Sequence, residues 1–192
     1  MTGPATCDRL GDWKRTYDCG TLTNDHLGEQ VTLMGWVSTR RDHGGVIFVD
    51  LRDRYGITQV VFNPQHSAEA HERADSLRDE FVISVRGEVE SRPEGMVNLR
   101  LHTGAIEVNC DNIRILNPSM PVPFQLEDSV DIGEETRLRY RYLDLRRERM
   151  QRNLAVRHRC YQATRGLLDA ERFLEVETPF LIRSTPEGAR DY

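Results

Sequence analysis

Residues 35–62 read GWVSTRRDHGGVIFVDLRDRYGITQVVF, and this stretch decides the fold. Just ahead of it and into it, Val31, Leu33 and Val37 alternate with Thr32, Met34 and Trp36, the period-two pattern of a half-buried strand. Asp42-His43-Gly44-Gly45 is a turn, because glycine accepts the positive φ that a tight reversal needs. Ile47, Val49 and Leu51 then alternate with Phe48, Asp50 and Arg52, which makes a second strand. Arg54-Tyr55-Gly56 turns the chain again, and Ile57 to Phe62 is a third strand. Three short strands in a row form a meander.

Working outward, Asn63-Pro64-Gln65-His66 stops the third strand, and Ser67 caps a helix that runs to about Leu77 with Ala70, Ala74 and Leu77 on one stripe. Phe81 to Glu90 is a fourth strand, Arg92-Pro93-Glu94-Gly95 a turn, and Ala105–Val108 with Ile113 and Ile115 a fifth strand. Three strands, a helix and two strands is the order of an OB-fold, a mainly β barrel of five strands plus one helix. The barrel is placed at 15–117, after a loose leader at 1–14. Asn117-Pro118-Ser119-Met120-Pro121-Val122-Pro123 disfavours both helix and sheet and opens a linker and hinge over 118–152. Within it, Glu134 to Arg149 is a charged helix or hinge. A new domain starts over 153–192, with a helix from Asn153 to Ala170 on which Leu154, Tyr161 and Leu168 recur at seven-residue spacing. A strand from Phe173 ends at Pro179.

The bulk composition bounds the partners. With 38% apolar and 30% charged residues the chain is globular, and no run of about 18 apolar residues exists to span a membrane. The first residues lack the apolar core of a signal peptide, so a cytoplasmic location is expected. Four scattered cysteines, Cys7, Cys19, Cys110 and Cys160, have no metal-ligand spacing and read as reduced thiols, with no metal expected. A net charge of −5 argues against indiscriminate phosphate binding. The stretch from Arg137 to Arg159 is nevertheless rich in arginine, so an RNA would meet positive charge there.

Three residues of the meander could carry chemistry. Phe48 shares a strand with Ile47, Val49 and Leu51, so alternation turns it outward with Asp50 and Arg52, where an aromatic ring can stack a splayed base. With the parity reversed it would be core instead. The amide of Gln59 donates and accepts at once, which suits a pyrimidine edge, but Gln59 shares a face with the apolar Ile57, a parity that conflicts with the outward placement of Phe48. Arg41 ends the first strand, where its guanidinium is either a solvated charge or a contact for base or phosphate. On these residues alone a stand-alone OB module for single-stranded nucleic acid fits as well as any larger assembly.

The stretch GWVSTRRDHGGVIFVDLRDRYGITQVVF resembles the anticodon-binding barrel of bacterial aspartyl-tRNA synthetases, which are class II aminoacyl-tRNA synthetases. RLRYRYLDLRR and FLEVETPFLIRSTPEGARDY resemble the hinge, motif 1 and the first residues of the amino-acid pocket of that family. The resemblance runs from about Arg15 to Tyr192. It implies that residues 153–192 begin an α+β catalytic domain, that Phe48 stacks on the middle anticodon base and that Gln59 reads the same uridine. It further implies that Arg41 and Glu107 contact the anticodon, Glu107 at the first base. Pro179 matches the motif 1 proline at the dimer interface, and Glu187 the glutamate that helps bind the ammonium of the substrate aspartate. Members that charge both tRNA-Asp and tRNA-Asn resemble this sequence in having His and Gly where His43 and Gly95 stand. Motifs 2 and 3, which clamp ATP, do not occur before Tyr192. ATP and Mg²⁺ are therefore expected of the intact homodimeric enzyme and not of these residues, which alone are expected to be inactive.

Overall fold

Alternating apolar residues over 30–62 give three antiparallel strands in the computed structural model, which describes residues 7–181. They are β1 (Gln30–His43), β2 (Val46–Arg52) and β3 (Ile57–Phe62). β1 and β2 are joined by Gly44 and Gly45 alone, at φ +63° and +85°, the left-handed pair that a twist-matched two-residue hairpin requires. Asp42 Oδ1 accepts from the Gly45 N–H and fastens that turn. A bulge between Val37 and Thr39 bends β1. Its first half pairs with β4 (Val82–Ser91) and its second half with β2.

The helix α1 (Ala68–Asp75) lies between β3 and β4 in sequence, with the Ser67 hydroxyl accepting from the Ala70 N–H as its cap. Ala70, Ala74 and Leu77 are buried beneath it. β5 (Ile106–Asn117) runs parallel to β3 and antiparallel to β4, which closes the barrel in the order β1-β2-β3-β5-β4. This is the five-stranded OB barrel that the element order predicts. Its core holds the inward residues of every strand, Leu33, Val49, Phe62, Ile83 and Val108 among them, each fully buried. Gly87 is required where β4 shifts register against β5, because a Cβ there would fall 2.1 Å from the Asn109 carbonyl oxygen.

Within the expected leader, residues 8–13 are packed and not loose. The Asp8 N–H donates to the Ile115 carbonyl and the Asp8 carboxylate pairs with Arg73 and accepts from the Ile115 N–H. Trp13, only 7% exposed, is flanked by the guanidinium groups of Arg86 and Arg114, 4.3 and 4.4 Å from the ring centre. A short polar stretch without periodicity gave no sign of this, since these bonds join it to β5 and α1 and not to its own neighbours.

The chain divides into two compact units, Met1–Gln125 and Leu126–Tyr192. In the second, α2 (Glu134–Arg139) and α3 (Arg141–Asp144) precede α4 (Glu148–Ala170), which begins earlier than Asn153. Fully buried Asp144 accepts from Arg137 at 3.0 Å and from Arg141 at 2.5 Å, with Arg147 at 3.8 Å. Arg147 Nη2 in turn donates to the carbonyls of Glu127, Asp128 and Val130. The expected strand from Phe173 to Pro179 does not form. A strand needs a neighbour to complete its ladder, and among the described residues every ladder belongs to the barrel.

Candidate nucleic-acid interface

The strand register brings the outward residues into rows. Arg41 pairs with Phe48, Phe48 with Val61 and Val61 with Asn109; one step along, Asp50 pairs with Gln59, and Glu107 with Glu90. Cross-strand partners share a face, so Arg41, Phe48, Asp50, Gln59 and Glu107 occupy one outer surface. The conflict of parity between Phe48 and Gln59 resolves here. Ile57, Gln59 and Val61 form the outward set of β3, and the buried Thr58, Val60 and Phe62 its inward set. Sequence misleads on this strand because its outward set is itself mostly apolar.

Phe48 is half-buried, flanked edge-to-face by His43 with ring centres 6.1 Å apart. Beside it runs a chain of polar bonds. Arg41 Nη2 donates to Asp50 Oδ1 at 2.8 Å and to Gln59 Oε1 at 3.3 Å, and Gln59 Nε2 donates to Glu107 Oε2 at 2.7 Å. Gln59 is left 8% exposed. Arg92, from the end of β4, donates through Nε to the Ile106 carbonyl at 3.0 Å. Its buried Nη2, like Asn109 Oδ1, has no hydrogen-bond partner among the described residues.

Burial sets the electrostatics of this surface. It pushes the Asp50 carboxyl above the ordinary carboxylate range against the pull of Arg41 and Arg92. Glu107 is likewise raised by burial, opposed by the Gln59 hydrogen bond and by Arg92. The same burial lowers Arg92, with Glu107 and Asp50 opposing. Charges held against their hydration preference in this way occur at functional sites and in structural ion-pair networks alike. Together they present a stacking ring, an amide, a guanidinium and two carboxylates, which suits unpaired bases.

His43 and Gly95 lie in two different loops. His43 is exposed where β1 turns into β2, whereas Gly95 follows β4 in the loop that the Thr103 hydroxyl ties to the Ile57 carbonyl at the start of β3. Gly95 has φ +82° and open space around it, so the backbone and not crowding favours glycine. Pro179 is exposed outside any strand, and Glu187 lies outside the described residues. The residues that sequence reasoning missed are Arg92 and Asn109. Arg92 reads there as turn chemistry before a proline, and Asn109 falls in the middle of a strand whose limits were drawn as two pieces.

Residues 31–116 match the family model for the OB-fold nucleic acid binding domain, and residues 133–192 that for tRNA synthetases class II (D, K and N). The two matches follow one another along the chain, the OB-fold match first and the class II tRNA synthetase match after it. It is similar to the aspartate–tRNA(Asp/Asn) ligases of Oleidesulfovibrio alaskensis, 58% identical, and Halothermothrix orenii, 56% identical, over 96% of the chain in each case. At 96% coverage the likeness extends into the segment before Arg15, further than the sequence motifs indicate. The chain spans about 30% of the length of these curated relatives. Among solved structures, the asparaginyl-tRNA synthetase of Pyrococcus horikoshii complexed with asparaginyl-adenylate is similar over 92% of this chain and 39% of its own, at TM-score 0.77 and 26% identity. The aspartyl-tRNA synthetase of Entamoeba histolytica shares the fold, at TM-score 0.77 and 22% identity over 88% of this chain and 40% of its own.

Proposed function

We propose that the barrel recognises the anticodon of tRNA for an aspartate–tRNA ligase that charges both tRNA-Asp and tRNA-Asn. The observation that carries this is the row of Arg41, Gln59 and Glu107 beside the half-exposed ring of Phe48 on one face of an OB barrel. Phe48 stacks the middle anticodon base, Gln59 reads its edge, Arg41 meets base or phosphate, and Glu107 accepts from the first base. The names of the relatives, Asp/Asn ligases over nearly the whole chain, support the choice of tRNAs.

His43 and Gly95 set the tolerance for the third anticodon base, Pro179 lies at the interface of a homodimer, and Glu187 binds the ammonium of aspartate. The whole enzyme, acting in the cytoplasm, uses ATP and Mg²⁺. Among the described residues no group of His, Cys, Asp and Glu comes together to hold a metal ion, and no helix is long and apolar enough to cross a membrane.

Phe48→Ala and Gln59→Ala test the reading in a binding titration with a tRNA-Asp anticodon stem-loop. Loss of affinity in both variants, with the barrel still folded by circular dichroism, supports it; undiminished binding in both overturns it. In the whole enzyme, the double exchange His43→Leu and Gly95→Lys reduces charging of tRNA-Asn and spares tRNA-Asp. Unchanged charging of tRNA-Asn would remove the role assigned to these two loops.

A further inference from the structure

A glutamine amide is an ambiguous reader. Its oxygen accepts and its nitrogen donates, but a half-turn about the last side-chain bond exchanges them. Uracil presents an N–H donor between two carbonyl acceptors. Cytosine presents an amino donor next to a ring-nitrogen acceptor. An amide free to turn over pairs with either base, so a bare glutamine beside a stacked pyrimidine distinguishes them poorly. An amide held in one sense, facing a base held in one plane, matches one of the two and sets donor against donor and acceptor against acceptor with the other.

Gln59 is held in one sense from both ends. Arg41 has only donors, so the atom of Gln59 that faces it at 3.3 Å is the oxygen. An ionised Glu107 has only acceptors, so the atom that faces it at 2.7 Å is the nitrogen. Turning the amide over would break both bonds and place like groups together. Arg41 is itself fixed by Asp50, whose Oδ1 accepts from the same Nη2 at 2.8 Å. Asp50 stands opposite Gln59 in the register, with a side chain only 22% exposed, whereas the Arg41 side chain is 43% exposed and without that carboxylate would be free to swing into solvent. What Gln59 has left to offer a base is one hydrogen on Nε2 and one lone pair on Oε1.

We propose that Asp50, acting through Arg41, and Glu107 latch the Gln59 amide in a single orientation, and that this latch makes Gln59 select uracil over cytosine at the middle anticodon position. Asp50 is thus a positioning residue. It touches no base and acts on the choice between bases, not on stacking. The inference rests on the proposed reading of that base by Gln59 and Phe48.

The test uses the full chain at fixed salt, with two tRNA-Asp anticodon stem-loops that differ only in uridine or cytidine at the middle position. The native chain prefers uridine by about tenfold or more, the range of one well-made paired contact. In Asp50→Asn the preference falls to about twofold, mainly because the cytidine loop binds better, while the uridine loop keeps most of its affinity. If the variant loses affinity for both loops in proportion, or keeps the full preference, the latch is wrong and Asp50 is structural. If the native chain itself shows no preference, the reading by Gln59 fails and the latch with it. Glu107→Gln provides the second variant, since an amide there donates as well as accepts and lets Gln59 turn over. Any loss at the first base cancels in the ratio between the two loops. The same fall in preference is expected, and a full preference in Glu107→Gln contradicts the latch even where Asp50→Asn does not fold.

Discussion

Phe48 and Asp50 lie two residues apart on one face of β2, the first bearing on binding and the second on stability. Phe48 is half-buried and its ring is available to a base. Phe48→Ala is expected to weaken anticodon stem-loop binding by about 1–3 kcal/mol, the usual value of one stacked base, measured by titration at constant salt. Burial favours the neutral form of the Asp50 carboxyl, with Arg41 and Arg92 offsetting only part of that. Its folded-state pKa lies above the unfolded one, so its contribution to stability is full below the unfolded value and is lost as pH rises through the folded value. Asp50→Asn removes the charge at the loss of an ion pair whose arginine side chain is 43% exposed, a partly solvated pair that contributes little. Melting temperatures should therefore show the variant at least as stable as the native chain at neutral pH, with its advantage shrinking as the pH is lowered through the carboxylate range. A variant markedly less stable at neutral pH would mean that the ion pair outweighs the burial of charge. Alternation along β2 was enough to turn both residues outward. On β3 it was not, because Ile57 and Val61 flank Gln59 on the solvent side and only the register against β2 shows which side that is.

Elements succeed or fail here according to whether their signals are local. The hairpin glycines, the Ser67 cap and the alternating strands are all set by neighbours in sequence, and each is legible there. The packing of residues 8–13 is not, because Asp8 and Trp13 find their partners on β5, α1 and β4. Trp13→Ala should cost about 3 kcal/mol in denaturant unfolding of the first unit, as for other buried tryptophans; a change within a few tenths would return the segment to a loose leader. The segment from Phe173 to Pro179 fails in the opposite sense, with a sound local strand pattern and no described partner for its ladder. In the second unit, Asp144 is the residue on which α2, α3 and the start of α4 converge. Burial alone would raise its carboxyl, and the hydrogen bond and charge of Arg137, with Arg141 and Arg147, overcome this and hold it low. A carboxyl so depressed stabilises fully above its unfolded pKa and loses that contribution as pH falls through the folded value. Asp144→Asn should cost about 1.5–3 kcal/mol at neutral pH, the range for a hydrogen bond to a charged group, and less in acid. A melting curve of the second unit that the substitution leaves in place would contradict this.

The whole molecule carries a net charge of −5, yet the proposed ligand is a polyanion. Attraction over the entire surface does not supply the affinity; it has to come from a local face and from arginines gathered along parts of the chain. For the first unit that face is the row from Phe48 to Glu107, whose residues come from β1, β2, β3 and β5 and are far apart in sequence. Its ring and its amide can be picked out of the sequence by their residue types. The bonds that join them, and the place of Arg92 at their edge, exist only once the barrel closes. The most direct measurement is the affinity of this chain for a tRNA-Asp anticodon stem-loop beside the same loop with its middle uridine replaced, at one salt concentration. Selective reading by Phe48 and Gln59 predicts a loss of about 1–3 kcal/mol on replacement. Equal binding to the two loops would contradict it, and would leave the barrel a general surface for single-stranded nucleic acid.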